Sequence, residues 1–172
     1  MSNTSACSTQ PENSSFLQAN KFTFSFATLP FLKYFCQSIN MPGVSTSPVN
    51  IDSPFSSMYR HGDKLVFDQL NMTILIDEDL RVWEETFDWL QALTFPREFS
   101  QYWRNSNGRK TAYHDGILTI NTNANNPNMR VQFINCHPVS LGGINFSVQA
   151  TAQEVITCDV TFRYDGYEIV RK

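Results

Sequence analysis

The run Ile156–Tyr164 constrains the fold of this chain more than any other segment. Ile156, Cys158, Val160, Phe162 and Tyr164 are apolar or aromatic, and Thr157, Asp159, Thr161 and Arg163 between them are polar. Successive side chains of a strand point to opposite faces, so the pattern predicts a strand with one dry face and one wet or shared face. Upstream, Ile117–Ile120, Val131–Asn135 and Ile144–Ala150 also read as strands. Turn chemistry joins them at Asn121–Asn128, Pro138–Gly143 and Ala152–Glu154. A sheet this well specified, with no catalytic cluster in or near it, points to a protein that works by shape and assembly.

The rest of the chain fits a mainly β, α+β domain. Its 172 residues give one domain room for a substantial core, and its 14 phenylalanines favour strands. Phe22, Phe24 and Phe26 alternate with Thr23 and Ser25, and Leu29–Ile39 reads as a second strand, ended by Met41-Pro42-Gly43. Val44–Asn50 is extended again. Ile51–Asp63 lacks periodicity yet carries Phe55 and Met58, so it reads as a long loop docked on its own sheet or on a neighbouring chain. Lys64–Ile76 reads as one long strand with Phe67 out of phase, the mark of a bulge. Asp77-Glu78-Asp79 opens a helix over Leu80–Leu93, where Val82, Trp83, Thr86, Phe87, Trp89 and Leu90 form a wide stripe. Within it, Trp83, Phe87 and Leu90 are expected to cover the sheet. Pro96 stops the helix.

Several function classes are disfavoured. The net charge of −3 argues against a surface that grips duplex DNA, because neutralising phosphates takes clustered Lys and Arg. Arg97, Arg104, Arg109 and Lys110 are the one basic concentration and read as a solvated loop or a subunit contact. Cys136 and His137 are neighbours on a strand and face opposite ways, so they form no nucleophile–base pair. His61, His114 and His137 do not give zinc spacing. No glycine-rich phosphate loop is present. No catalytic residue, metal or cofactor is expected. Cys7, Cys36, Cys136 and Cys158 lack CxxC spacing and read as buried thiols. No leader peptide is expected, and no apolar run approaches the ~20 residues that span a bilayer. Residues 1–15, rich in Ser, Asn and Gln, are expected to form a flexible arm ahead of a β domain at residues 16–172.

Three elements carry a resemblance. "CQSINMPGV" at Cys36–Val44 ends the second strand, "CHPVSLGGI" spans Cys136–Ile144, and "CDVTFRYDGYEI" at Cys158–Ile169 is rich in aromatics. With "WEETFDWL" at Trp83–Leu90, they make the chain resemble the tail tube proteins of contractile-tailed bacteriophages. The family shades into baseplate tube initiators and, more distantly, the tube protein of type VI secretion. The resemblance implies an antiparallel β-sandwich or barrel with one helix on its side. It implies six copies in a ring, strands from each copy forming a continuous barrel around a channel, and rings stacked into a tube. Implied partners are further copies of the chain and the tail sheath, baseplate and tape-measure proteins. DNA crosses the channel during ejection without specific binding, no membrane is involved, and the location is the virion tail, assembled in the host cytoplasm. On this reading Phe55, Met58 and Tyr59 are candidates for a subunit interface. Thr157, Asp159, Thr161 and Arg163 are candidates for the channel wall, against plain solvent exposure. The alternatives are a baseplate or terminal ring of the same family, or a monomeric β-barrel for a small apolar ligand.

Overall fold

The computed structural model describes residues 15–26, 29, 31–94, 113–149 and 155–171. The alternating phenylalanines form β1 (Phe22–Phe26), with Phe24 and Phe26 buried. The strand expected over Leu29–Ile39 is instead a one-turn helix, α1 (Leu32–Phe35), followed by β2 (Cys36–Ile39). Alternation would have put Lys33 on the same face as Leu29. Leu29 and Leu32 are both buried while Lys33 is exposed, a pattern that strand alternation does not give.

The next four strands are β3 (Val44–Thr46), β4 (Val49–Asp52), β5 (Ser57–Arg60) and β6 (Leu65–Phe67). β3 pairs with β6 and β4 with β5, so Val44–Phe67 is one antiparallel ribbon. The expected irregular loop at Ile51–Asp63 is thus corrected to a hairpin. Its side chains lack a one-sided pattern because every residue from Gly43 to His61 is exposed. The expected single strand Lys64–Ile76 breaks at Asp68-Gln69. Phe67 ends the ribbon, and β7 (Leu70–Leu75) begins the body with Leu70, Met72 and Ile74 buried, which explains why Phe67 is out of phase.

Helix α2 (Arg81–Leu93) starts where its acids predict. The Asp77 carboxylate accepts from the backbone N–H of Arg81 and of Val82 at 3.2 and 3.3 Å. Its buried stripe is Val82, Thr86, Trp89 and Ala92, which corrects the expected Trp83–Phe87–Leu90 face. Trp83 and Phe87 stack on each other at the flank, 5.2 Å apart and 8° from parallel, and Phe87 is exposed. Thr86 is tolerated in the core because its hydroxyl donates to the Val82 carbonyl at 2.9 Å.

β8 (His114–Asn121) and β9 (Pro127–Leu141) form a hairpin whose turn holds Asn125 at a φ of 63°, as the Asn-rich run predicts. β9 continues through Pro138 to Leu141, where a turn was expected. It thereby supplies the neighbour for β10 (Thr157–Arg163) that Ile144–Ala150 was expected to provide. Residues 142–149 form no strand, and Ala150 lies outside the described residues. After Tyr164 the chain turns back into β11 (Gly166–Arg171), a strand the sequence reading lacked.

All pairings are antiparallel, in the order β1-β8-β9-β10-β7-β2, with β11 also on β9. The first half of β9 pairs with β8 and β11; its second half pairs with β10. Two sheets therefore share one bent strand. Phe24, Phe26, Leu118, Val131 and Phe133 on one sheet pack with Leu70, Met72, Ile74, Val160 and Phe162 on the other. Trp89 of α2 joins this core against Phe26, Phe162 and His114, with ring centroids 5.5, 5.9 and 5.0 Å away. The fold is mainly β, with antiparallel sheets and two helices among the described residues.

The two helix tryptophans should therefore behave differently. Trp89→Ala, which empties a fully buried site, is expected to cost about 3–5 kcal/mol of unfolding free energy. Trp83→Ala, which removes a half-buried flanking stack and the Nε1 bond to the Gly142 carbonyl, should cost less, about 1–2 kcal/mol. Urea unfolding followed by far-UV circular dichroism measures both, and equal losses would contradict the placement of the stripe.

Candidate functional site

The ribbon Val44–Phe67 is held firmly at its base. Asn40 donates from its side chain to the Gln69 carbonyl and accepts from the Asn71 N–H, at 3.2 and 2.6 Å. The Asp68 N–H donates to the Gly43 carbonyl at 3.0 Å, and the Tyr164 hydroxyl donates to the Asp68 carbonyl at 3.0 Å. Phe67 packs on Tyr164 and Tyr167 with ring centroids 5.9 and 5.5 Å apart. Midway, the pairing breaks between Thr46↔Leu65 and Val49↔Arg60. There Gly62 lies so close to Ser47 that a Cβ would sit 2.0 Å from the Ser47 carbonyl oxygen.

Beyond the break, the pairs Val49↔Arg60 and Ile51↔Met58 share one face, and Asn50↔Tyr59 and Asp52↔Ser57 the other. Met58 and Tyr59, both candidate interface residues, therefore point to opposite sides of the ribbon. Phe55 stands fully exposed at the tip. The tip is closed by Ser53, whose backbone N–H and hydroxyl both donate to the Ser56 carbonyl, at 3.0 and 2.8 Å. The structure brings the three candidates onto one projecting element without placing them on one surface.

The four channel candidates do share a surface. Cys158, Val160 and Phe162 are buried, while Thr157, Asp159 and Arg163 are exposed and Thr161 half-buried on the opposite face of β10. Cross-strand pairing adds Thr73 and Asn71 of β7, Ser38 of β2 and Ser140 of β9 to that face. The Thr73 hydroxyl donates to Asp159 Oδ1 at 2.8 Å, and the Thr161 hydroxyl to Asn71 Oδ1 at 3.2 Å. The Arg163 guanidinium donates to the Phe67 carbonyl at 3.4 Å. The result is a polar, hydrogen-bonded wall with one carboxylate and one guanidinium on β10.

A third surface was missed by the sequence reading. After β9, Gly142 is pinned: its N–H donates to the Asp159 carbonyl at 2.8 Å, and its own carbonyl accepts from Trp83 Nε1 at 3.4 Å. From Gly143 the chain opens into a groove lined by Asn145, Phe146, Ser147, Val148, Val155 and Thr157. Phe146 and Val148 are largely exposed. The alternation of Ile144, Phe146 and Val148 looks like a strand, but the Gly142-Gly143 pair releases it from the sheet. That glycine pair was the available signal.

Nothing in these surfaces resembles reaction chemistry. Among the described residues, no cluster of His, Cys, Asp and Glu could hold a metal ion, and no helix is long and apolar enough to cross a membrane. Cys36, Cys136 and Cys158 are free thiols. Burial pushes Cys136 up to about 12 and Cys36 up to about 11, and it also raises Cys158, so all three are poor nucleophiles. Cys7 and the basic segment with Arg97, Arg104, Arg109 and Lys110 lie outside the described residues.

The sequence profile of the phage tail tube protein family matches residues 6–170. No curated protein sequence matches the chain. Among solved structures, a chain of the tube-terminating cap of the anti-feeding prophage is similar in fold. Its TM-score is 0.70 at 10% identity, covering 97% of this chain and 99% of that one. A chain of the anti-feeding prophage baseplate gives 0.64 at 11% identity, covering 92% and 98%. A chain of the sheath–tube complex of the extracellular contractile injection system PVC, in its extended state, gives 0.61 at 12% identity, covering 92% and 94%. At these identities the likeness is one of fold.

The close approach at Gly62 makes the ribbon testable. Gly62→Ala must force Ser47 and Gly62 apart, and amide hydrogen exchange should speed up across Val49–Arg60. Global stability should change by less than about 0.5 kcal/mol, since the site is on the surface. Unchanged exchange in the ribbon would contradict the close approach.

Proposed function

The chain belongs to the phage tail tube protein family, and from that premise we propose that it is the repeating subunit of a tail tube, six copies to a ring, with rings stacked around a channel for genome ejection. The family is structural and the chain is not an enzyme. The observation that carries the finer reading is the ribbon Val44–Phe67. Its base is tied to the core, yet Val49, Ile51, Phe55, Met58, Tyr59, Leu65 and Val66 are all exposed. A projecting element with apolar side chains on both faces is matched by contact with other subunits. Phe55, Met58 and Tyr59 are the proposed interface residues. Sheath and baseplate proteins are the proposed outer and end partners, and a tape-measure protein the proposed occupant of the channel before ejection.

The polar face of β10 and β7 is the proposed channel wall. The Thr73 and Thr161 hydroxyls already donate to Asp159 and to Asn71, so neither proton is free for a phosphate. Asp159 and Arg163 offset each other on this face, so it offers no cluster of cations to a polyanion. The proposed setting is the virion tail, with assembly in the host cytoplasm.

Negative-stain microscopy of the purified chain tests the assembly: stacked hexameric rings are expected. Single rings that never stack would favour a terminal or baseplate ring, and a small monodisperse particle would refute both. The double variant Phe55→Ser, Met58→Ser should raise the concentration needed for assembly by about tenfold or more, with an unchanged unfolding midpoint. Full-length tubes at unchanged concentration would remove the ribbon from the interface. For the channel, assembled tubes should show no duplex binding at physiological salt, while Asp159→Lys tubes should assemble yet retain DNA. Tight DNA binding by the unmodified chain would overturn the assignment of the wall.

A further inference from the structure

The segment Ile144–Gln149 alternates like a strand but pairs with none among the described residues. Its phase explains why it leaves the sheet. β9 pairs Ser140 with Thr161 and Leu141 with Val160, and the Gly142 N–H bonds to the Asp159 carbonyl. Carried on in that register, Ile144 would lie opposite Thr157 and Phe146 opposite Val155, both on the polar face, and Asn145 would turn towards the core. One residue out of phase, the segment peels away after Gly142, with Phe146 and Val148 largely exposed. Elsewhere the sheet has an open slot. β1 and β2 are its end strands and do not pair with each other, and a cavity of about 640 Å³ lies between them. The Lys21 carbonyl accepts from the Asn121 N–H at 2.9 Å, so in the same register Thr23 and Ser25 bond to β8, and the backbone groups of Phe22 and Phe24 face the slot. Across it, Asn40 bonds to Asn71 at 3.1 Å, which turns the Ile39 backbone away from β7. At ordinary strand and sheet spacings a strand residue takes roughly 160 Å³, so the slot holds about four.

We propose that Ile144–Gln149 of one copy inserts as a strand between β1 and β2 of a second copy. The inference rests on the assembly reading, since copies must meet, and it names the segment and the slot by which they hold each other. The side chains match. Ile144, Phe146 and Val148 meet Phe22, Phe24 and Ile39 of the slot, all of which pack on the core. Asn145, Ser147 and Gln149 fall on the side of Thr23, Gln37 and Ser38. The segment carries no charge, and Lys33, the charged residue at the slot, is exposed and stays in water. Backbone bonds to the two open edges supply affinity, and the alternating side chains set register. Within one chain, β10, β7 and β2 separate Gly142 from the slot along the sheet. Crossing about four strand spacings, ~19 Å, consumes roughly six residues, the whole segment, and leaves nothing to insert. Segment and slot are different surfaces, so the contact is heterologous. A closed ring fills every slot, whereas an open array leaves one segment and one slot bare.

The test replaces Phe146 with p-benzoylphenylalanine, mixes isotope-labelled and unlabelled full chains, and irradiates the assembled protein. Cross-links from position 146 to residues 19–24 or 33–39 of the other isotope are expected. Cross-links elsewhere, within one chain or not at all overturn the inserted strand while leaving the tube reading intact; absence of rings and tubes from the unmodified chain overturns both. A second measurement does not depend on the photoprobe. Phe146→Asp changes an exposed side chain, so the unfolding midpoint of the isolated chain should hold while the concentration needed for ring formation rises about tenfold or more. A synthetic peptide spanning Gly143–Gln149 should then occupy the empty slot of the Phe146→Asp chain and raise its unfolding midpoint. The same peptide carrying Phe146→Asp should not. No rise with the first peptide, or an equal rise with both, overturns the proposal.

Discussion

One bulge lets a single strand serve two sheets. Asn135 adopts a φ of 56°, a left-handed conformation that asparagine tolerates better than most residues. Two carboxylates hold it there. Its backbone N–H donates to Asp115 at 3.1 Å and its side-chain amide donates to Asp165 at 2.7 Å. Asp165 is itself fixed through its N–H on the Ile134 carbonyl at 3.0 Å. Before the bulge β9 runs between β8 and β11; after it, β9 turns to β10. Without this bend, Phe133 and Phe162 would lie on one continuous sheet, with no second layer to cover them. The core, the polar wall and the two projecting surfaces all follow from that change of direction.

From the bend an aromatic chain extends both ways. Trp89 of the helix touches Phe26, Phe26 touches Phe24, Phe24 touches Phe133, Phe133 touches Tyr164, and Tyr164 touches Phe67, with ring centroids between 5.0 and 6.4 Å. Edge-to-face pairs of this kind contribute about 0.5–1.5 kcal/mol beyond their buried area. The chain ends at the base of the ribbon, so the same core that holds α2 also holds the lever that projects from the opposite end. Burial pushes the Tyr164 phenol up to about 12, which keeps it a proton donor to Asp68 throughout the neutral range. The ribbon is thus firmly rooted and distally bare.

The sequence was legible where burial is one-sided. Phe22–Phe26, Leu70–Ile74 and Cys158–Phe162 alternate because one face meets the core; the first and last became strands at nearly their expected bounds, and the second is the inner part of a strand expected from Lys64. Legibility failed where both faces share one environment. The ribbon carries apolar side chains on two exposed faces, so no period marked its outer part and Ile51–Asp63 read as a loop. The reverse error arose at Ile144, Phe146 and Val148, which alternate without a partner strand. The wide stripe of α2 held Val82, Thr86 and Trp89, which are buried, but its centre was set at Trp83, Phe87 and Leu90, which lie at the flank. Thr157, Asp159, Thr161 and Arg163 share the face of β10 away from the core, which strand alternation alone decides. The groove, by contrast, depends on where a glycine pair releases the chain, which is a tertiary outcome.

A two-stranded ribbon is marginal in water by itself, and its open edges invite indiscriminate pairing. The distribution of charge answers that hazard. Asp52, Arg60, Asp63 and Lys64 flank the ribbon's ladders, and Pro48 and Pro54 remove edge donors. Both signs are present, so a second ribbon laid alongside must match them or bring like charges together. The tip from Ser53 to Ser56 carries no charge, and there the fold supplies local bonds instead, through Ser53. Charge therefore lies where strand-to-strand aggregation threatens, and it is absent where a specific contact is proposed.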